Sequence, residues 1–237
     1  FRLLTCSPAT IAQQKVEINE KRYDFAQLVN RLSERAGYFG SDNLVSNEVW
    51  FQYVIPELIG RAKPGGVYLG VGPEQNYTYI AATRPKIVFL TDIRRGNLWM
   101  HLMYKALFEL SADRADFMSR LFTKKRPNGL TAKSSAAELQ NAFWDVPTSP
   151  RTAYEENLKA IDDVLLKKHK LPLSSQDIQG IHDGAYYNFY WFGPRMTYNS
   201  SSGRGEGNYI NYAELMMSTD SNGVARSYLA SEENFRV

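Results

Sequence analysis

Apolar and glycine residues follow a distinctive order in one stretch, residues 66–97, GVYLGVGPEQNYTYIAATRPKIVFLTDIRRGN. Residues 67–71 are a short apolar run that lies between Gly66 and Gly72. A run of this length with glycine on both sides predicts a buried strand that enters a tight turn.

The same stretch continues with a predicted helix and a second strand. Residues 76–82 predict a short helix, which Pro85 ends, and residues 86–91 form a second apolar run rich in β-branched and aromatic side chains. This run ends at Asp92. The order is therefore strand, glycine turn, helix, strand and acid.

That order suits a nucleotide pocket. Glycine lets the backbone approach a ligand, a helix N-terminus offers unpaired amides, and an acid at the end of the next strand accepts hydrogen bonds from a ribose diol. Gly72 and Asp92 have the spacing that this arrangement needs. A tight strand-to-helix turn with a capping acid explains the same residues without a ligand, so both interpretations stay open.

Helical periodicity dominates the rest of the chain. Apolar residues at helical spacing, with capping residues before them, predict helices that begin near residues 24, 48, 96, 136, 154, 174, 209 and 231. Pro56 is expected to kink the second of these helices. Residues 193–208 are rich in Gly, Ser and Asn and predict a loop, and residues 224–230 predict a strand or extended segment.

The predicted fold class is α/β, with a doubly wound sheet and a helical insertion. The predicted organisation is a tail or linker over 1–22, N-terminal helices and a first βαβα unit over 23–122, a helical insertion and loop over 123–208, and a return to the α/β domain over 209–237. A doubly wound sheet needs more than two strands, so we expect its C-terminal strands to lie outside these residues.

Composition excludes several classes of protein. The chain has 237 residues, 43% hydrophobic and 22% charged, which is ordinary for a globular protein, and its net charge of +3 gives no signal for nucleic acid. One cysteine, Cys6, excludes an internal disulfide and a thiolate metal cluster. The three histidines are far apart in sequence, so no metal site is predicted. No apolar run approaches the roughly 20 residues that span a bilayer.

The first residues leave the compartment open. Residues 1–7, FRLLTCS, are compatible with the end of a signal peptide or a lipoprotein cleavage box, and equally with an arbitrary cut. An exported or lipid-anchored protein follows from the first interpretation, and the second leaves the compartment undetermined.

Two blocks carry a family resemblance. Residues 67–74, VYLGVGPE, resemble the first motif of the class I S-adenosylmethionine-dependent methyltransferase fold, and residues 89–93, FLTDI, resemble its second-strand acid. More narrowly, residues 41–48, 70–76 and 92–98 resemble an uncharacterised bacterial family assigned to that Rossmann-type fold, over most of the chain.

The resemblance implies a site for S-adenosylmethionine or a related nucleoside, and a cytoplasmic protein if S-adenosylmethionine is used. Its expected cofactor-binding residues are Gly70, Val71, Gly72, Pro73, Glu74, Asp92, Ile93 and Arg94. Asn47 and Glu48, just before the first strand, and Tyr187, in an aromatic segment, are candidate pocket walls.

The chain departs from the methyltransferase motif at two positions. Tyr68 stands where an acid is typical, and Glu74 stands where a third glycine is typical. Gln75 also replaces the glycine that a dinucleotide site needs, which argues against an oxidoreductase.

Two functions follow from the sequence. The first is an S-adenosylmethionine-binding, methyltransferase-like protein of unknown acceptor, for which the sequence identifies no catalytic residue. The second is a non-catalytic binding protein, exported in one version, that keeps the fold without the cofactor. The sequence is silent on oligomeric state.

Overall fold

The computed structural model describes residues 15–18, 21–34, 37, 40–41, 43–200 and 209–237. It begins with an antiparallel pair of strands, β1 (Lys15–Ile18) and β2 (Lys21–Asp24), followed by helix α1 (Phe25–Leu32). These elements lie in and directly after the predicted tail or linker, residues 1–22.

A βαβ unit follows within residues 66–97. Helix α2 (Ile55–Arg61) precedes it, and its elements are β3 (Val67–Val71), α3 (Gln75–Thr83) and β4 (Ile87–Thr91). Strands β3 and β4 are parallel, in a register that pairs Val67 with Ile87 and Val71 with Thr91. The positions of the two predicted strands and of the helix between them are confirmed, but the prediction that the first strand is buried is wrong, because the side chains of Val67, Leu69 and Val71 are exposed.

The remaining described residues are helical or in connecting segments. The helices are α4 (Arg95–Leu110), α5 (Arg114–Leu121), α6 (Ala136–Trp144), α7 (Arg151–Asp162), α8 (Ser175–Gln179), α9 (Tyr187–Phe192), α10 (Tyr212–Met217) and α11 (Glu232–Phe235). Two π-helical segments, Asp163–Lys168 and Gly180–Tyr186, continue α7 and α8, and a short 3-10 helix, Gly193–Arg195, follows α9.

Side-chain caps set several helix starts. Ser135, Ser174 and Asn211 each accept a hydrogen bond from the backbone N–H three residues later, in complete capping boxes. The helices predicted to begin near residues 136 and 174 therefore begin where the sequence places them. The Asp113 side chain accepts from the Asp116 N–H and caps α5, so the helical stretch predicted to begin near residue 96 is divided into α4 and α5.

The prediction of a doubly wound, Rossmann-like α/β sheet is wrong. Among the described residues the strands form two separate two-stranded sheets, and β3 and β4 are the parallel pair. The sequence after Asp92 carries helical rather than strand periodicity, so its apolar faces pack against one another instead of extending the sheet. The predicted βαβ unit is therefore present, but among the described residues it is not part of a larger sheet.

Two local predictions also fail. Pro56 does not kink a helix; it occupies the first turn of α2, where its missing N–H has no helical partner to lose. Residues 224–230 form turns and a connecting segment, not a strand. Tyr228 is buried there because its ring packs among core aromatics, and its backbone N–H donates to Thr78 Oγ1 at 3.2 Å.

The two faces of the β3–β4 pair differ in burial. Tyr68, on β3, packs against the helical core. On the opposite face Val67, Leu69 and Val71 are 67%, 71% and 68% exposed. Parallel sheets are usually covered on both faces. Within the described structure, this pair is covered on only one face.

Helix α4 is the centre of the helical core. Met100, Met103, Tyr104 and Leu107 along it are fully buried. The helix also packs along the π-helical segment Gly180–Tyr186, where the Trp99 indole occupies the space in which a Cβ on Gly180 would lie. A glycine is required there because any larger residue would displace the indole.

Arg114 ties the C-terminal residues to this core. Its side chain is 1% exposed, and its guanidinium donates to Glu232 Oε1 at 3.0 Å and to the Leu229 carbonyl at 2.8 Å. It also donates to the carbonyls of Ala132 and Ser134 at 2.9 and 2.8 Å. One buried cation therefore joins α5, the segment before α6 and the start of α11.

No helix among the described residues is long and apolar enough to cross a membrane.

Replacing Arg114 with Met should destabilise the protein by about 3–5 kcal/mol, because three carbonyls and a carboxylate lose their shared donor. Arg61→Met is the matched control: Arg61 forms an exposed pair with Glu57, so its loss should cost about 0.5 kcal/mol or less. Urea unfolding of both variants measures the difference. Equal costs for the two substitutions would contradict the role given to Arg114.

Candidate ligand site at the carboxyl ends of β3 and β4

The turn after β3 depends on two glycines. Gly72 has a φ of +85°, a left-handed conformation that favours glycine, and its N–H donates to the Thr91 carbonyl at 3.3 Å. Gly70 is buried, and a Cβ there would overlap the side chains of Asn76 and Tyr68. Gly70 therefore makes room for protein side chains.

Asn76 holds this turn from the first turn of α3. Its Nδ2 donates to the carbonyls of Val71, Gly72 and Pro73 at 3.0, 3.1 and 2.8 Å. Its Oδ1 accepts from the Tyr68 hydroxyl at 2.7 Å. Burial raises the pKa of Tyr68, which keeps this hydroxyl a neutral donor. Tyr68, which replaces the acid of the methyltransferase motif, thus orients the residue that fixes the turn.

His101 holds the same turn from α4. The ring places Nε2 3.0 Å from the Gly72 carbonyl and Nδ1 2.7 Å from the Tyr77 hydroxyl. A carbonyl can only accept, so Nε2 carries the proton and Nδ1 accepts from Tyr77. Burial lowers the pKa of His101 to about 4, and the hydrogen bond to Gly72 only partly opposes this shift. The neutral ring is therefore a structural clamp on the glycine turn.

Glu74 is a fully buried carboxyl group at the start of α3. Both of its oxygens accept from the Ser46 N–H, at 3.2 and 3.1 Å, and its own backbone N–H is a further donor. Burial raises the pKa of Glu74 to about 7, and these hydrogen bonds only partly counteract it. The residue that replaces a motif glycine therefore attaches the segment before α2 to the glycine turn.

Asp92 lies just beyond the end of β4, beside the turn. Its Oδ1 accepts from the Arg94 N–H at 2.8 Å, and its Oδ2 accepts from Asn43 Nδ2 at 3.4 Å. The side chain is half-buried. A carboxylate has about four acceptor positions, so hydrogen bonding to further donors remains open to Asp92.

The two arginines after Asp92 bind other parts of the protein. Arg95 donates to both oxygens of Asp177, at 2.6 and 2.9 Å, and Trp99 Nε1 donates to the same carboxylate at 2.9 Å. The hydrogen bond from Arg95 is the main reason that the pKa of Asp177 lies well below its usual range. Arg94 donates to the carbonyl of Ser41.

The other predicted site residues lie mostly at the surface. Val71 and Ile93 have exposed side chains, and Asn47 and Glu48 are exposed on the segment before α2. The ring neighbours of Tyr187 are Tyr154, Tyr190 and Trp191. The structure therefore brings Gly72, Pro73, Glu74 and Asp92 together, but its contacts place Tyr187 in an aromatic cluster of α7 and α9.

Few turn amides face outward for a ligand. Pro73 has no N–H, Glu74 directs its own N–H to its carboxyl group, and the Asn76 N–H donates to the Pro73 carbonyl at 3.3 Å. The expectation that the helix N-terminus after the glycine turn offers unpaired amides to a ligand therefore finds no support in these contacts.

Two amide side chains in the first turns of the helices that follow β3 and β4 have buried polar atoms without a hydrogen-bond partner. They are Gln75, whose Oε1 is unpaired, and Asn97, whose Nδ2 and Oδ1 are both unpaired while the residue is 0% exposed. Buried polar atoms are usually hydrogen-bonded, so these positions are candidates for contact with a ligand or water. The sequence gives no signal for them beyond their place after the two strands.

The described residues contain no group of three or more His, Cys, Asp and Glu side chains that could hold a metal ion. The polar groups around Asp92 are backbone and amide donors, and the nearby His101 is already bound on both ring nitrogens. The arrangement is suited to holding a polar ligand.

Comparison with known families finds one match. A family model described as "Domain of unknown function (DUF7790)" matches residues 43–188. The matched range includes the glycine turn, Asp92 and Asn97. A search of curated proteins finds no match to the chain.

The pKa of Glu74 predicts a specific pH dependence. Its ordinary value is 4.5, so the folded protein binds this proton more tightly than the unfolded chain does, and the contribution of Glu74 to stability should fall as the pH rises from about 4.5 to about 7. The lowered pKa of His101 has the opposite effect, because it makes stability rise as the pH increases from about 4 to about 6.5. The loss attributable to Glu74 should be on the order of 3 kcal/mol. Glu74→Gln retains the acceptor for Ser46 and should remove this loss.

Urea unfolding at pH 5 and pH 7.5 tests this prediction, because contributions from other titrating groups cancel when the two proteins are compared. Glu155→Gln, at an exposed glutamate on α7, should follow the wild-type profile. A Glu74→Gln profile parallel to that of the wild type would show that Glu74 does not cause the pH dependence.

Proposed function

The chain belongs to the family described as a domain of unknown function, DUF7790, and we propose that it binds a nucleoside-type ligand at the carboxyl ends of β3 and β4. S-adenosylmethionine is the ligand that the sequence resemblance favours. We assign no methyl acceptor.

The position of Asp92 carries this proposal. The β3–β4 register aligns Val71 with Thr91, so Asp92 follows directly at the level of the glycine turn. Two of its acceptor positions are used by Arg94 and Asn43, and the half-buried carboxylate has others for the hydroxyls of a ribose. A charged acceptor that is partly shielded from water forms stronger hydrogen bonds than a fully solvated one.

The clamped turn supports binding in a fixed geometry. Asn76 and His101 hold the backbone at Gly72 from two helices, so the edge that faces the ligand does not need to be ordered when the ligand binds. Methyl transfer needs mainly the positioning of donor and acceptor. A site of this kind can therefore serve that chemistry without a dedicated acid or base.

A second function is non-catalytic binding without a nucleoside. The contacts of the glycine turn favour it, because the Asn76 side chain binds the turn carbonyls and the Glu74 N–H donates to the carboxyl group of the same residue. These contacts give the glycines a structural purpose. The two functions differ in whether Asp92 binds a ribose.

Titration calorimetry with S-adenosylmethionine and its demethylated product separates them. The first function predicts saturable heat and a raised melting temperature. Asp92→Asn should weaken the affinity by roughly 10- to 100-fold, because a hydrogen bond to a charged group contributes about 1.5–3 kcal/mol. Asn retains an acceptor for the Arg94 N–H, which preserves the start of α4.

Asp163→Asn is the control, since Asp163 forms an exposed pair with Lys167 on the π-helical segment after α7. Its affinity should equal that of the wild type. The absence of heat and of thermal stabilisation at millimolar ligand would reject nucleoside binding and favour the second function. Unchanged affinity in Asp92→Asn would show that the ribose does not contact Asp92.

A further inference from the structure

Asn97 is a buried amide whose polar atoms have no partner. It is 0% exposed, and neither Nδ2 nor Oδ1 has a hydrogen-bond partner. Its position is the first turn of α4, a 16-residue helix that starts just after Asp92. A buried amide without partners destabilises a fold, and an apolar side chain of similar size would pack there without that cost.

The helix geometry directs Asn97 toward the candidate site. Asn97 and His101 are four residues apart, so their side chains lie on the same face of α4. His101 Nε2 is 3.0 Å from the Gly72 carbonyl, which shows that this face is turned toward the glycine turn. Asn97 is one helical turn closer to the ends of the strands. Gln75, whose Oε1 is also unpaired, follows the same turn on α3.

The chemistry of an amide matches one part of a nucleoside. Nδ2 donates and Oδ1 accepts in one plane, and this pair complements the adjacent amino group and ring nitrogen of adenine. Asp92 has the opposite character, because an ionised carboxylate only accepts and so suits hydroxyls. The ribose and the base of one ligand therefore have different partners on this edge.

We propose that Asn97 reads the base of the ligand and determines that it is adenine. The inference rests on the proposed nucleoside site and assigns the base to a residue that neither the motif nor the family match identifies. It gives the unpaired amide a function in binding.

Binding must be accompanied by a rearrangement of the residues around Asn97, because Asn97 has no exposed surface. At the strand ends, Ser41 Oγ donates to the Tyr198 carbonyl at 2.7 Å, Arg94 donates to the Ser41 carbonyl, and Asn43 Nδ2 donates to Asp92 Oδ2 at 3.4 Å.

Asn97→Leu tests the inference, with Gln140→Leu as the matched control. Gln140 on α6 is also fully buried, and its Oε1 is also unpaired. In the full chain without ligand, Asn97→Leu should have a urea midpoint equal to or above that of the wild type. Its affinity for adenine and for adenosine should fall by about tenfold or more, because the bidentate pair is lost. Gln140→Leu should bind both probes as the wild type does.

Calorimetry with adenine, adenosine and inosine separates this inference from the proposed function. Wild-type protein should prefer adenosine to inosine, and Asn97→Leu should lose that preference. If Asp92→Asn weakens adenosine binding while Asn97→Leu leaves it unchanged, the inference is overturned and the ribose site stands.

The opposite result is equally informative. If adenine binding depends on Asn97 while adenosine binds no more tightly than adenine and Asp92→Asn has no effect, the ribose role fails and the inference stands. A urea midpoint clearly lowered by Asn97→Leu but not by Gln140→Leu would show that Asn97 serves the fold, and would overturn the inference. The absence of heat with all three probes would overturn both.

Discussion

The carbonyl of Gly72 is the point at which the strands and the helical core are joined. It accepts hydrogen bonds from Asn76 on α3 and from His101 on α4, at 3.1 and 3.0 Å. Helix α4 also places Met100, Met103, Tyr104 and Leu107 in the core, so the turn after β3 is fixed relative to the packing of the helices. The position of Asp92 at the end of β4, and with it the candidate site, follows from this connection.

This connection explains how a two-stranded parallel sheet persists in a helical protein. A pair of strands is marginal by itself, and here one face gains its stability by packing Tyr68, Val88 and Leu90 on the core. The other face exposes Val67, Leu69 and Val71. The strands therefore serve mainly to present the glycine turn and Asp92 at one edge.

The parts that the sequence predicts are those set by local residues. Glycines around an apolar run predict β3 and its turn, and the serines at 135 and 174 predict two helix starts. The doubly wound sheet was wrong because it extends a local βαβ unit by analogy, while the later helices pack on one another. Asn76 and His101 could not be identified, because they bind the turn through backbone carbonyls, which leave no pattern in the sequence, and His101 is 29 residues from Gly72. The unpaired Asn97 is visible only once burial is known.

The protonation of His101 tests the central connection most directly. Nitrogen-detected NMR of ¹⁵N-labelled protein, with His101→Gln to assign the ring, reports the charge and tautomer of the imidazole between pH 5 and pH 8. The account predicts a neutral ring with its proton on Nε2 throughout, because the pKa is lowered to about 4 and Gly72 offers only an acceptor. A ring that titrates near pH 6.5, or one with its proton on Nδ1, would contradict the clamp on which this description of the site depends.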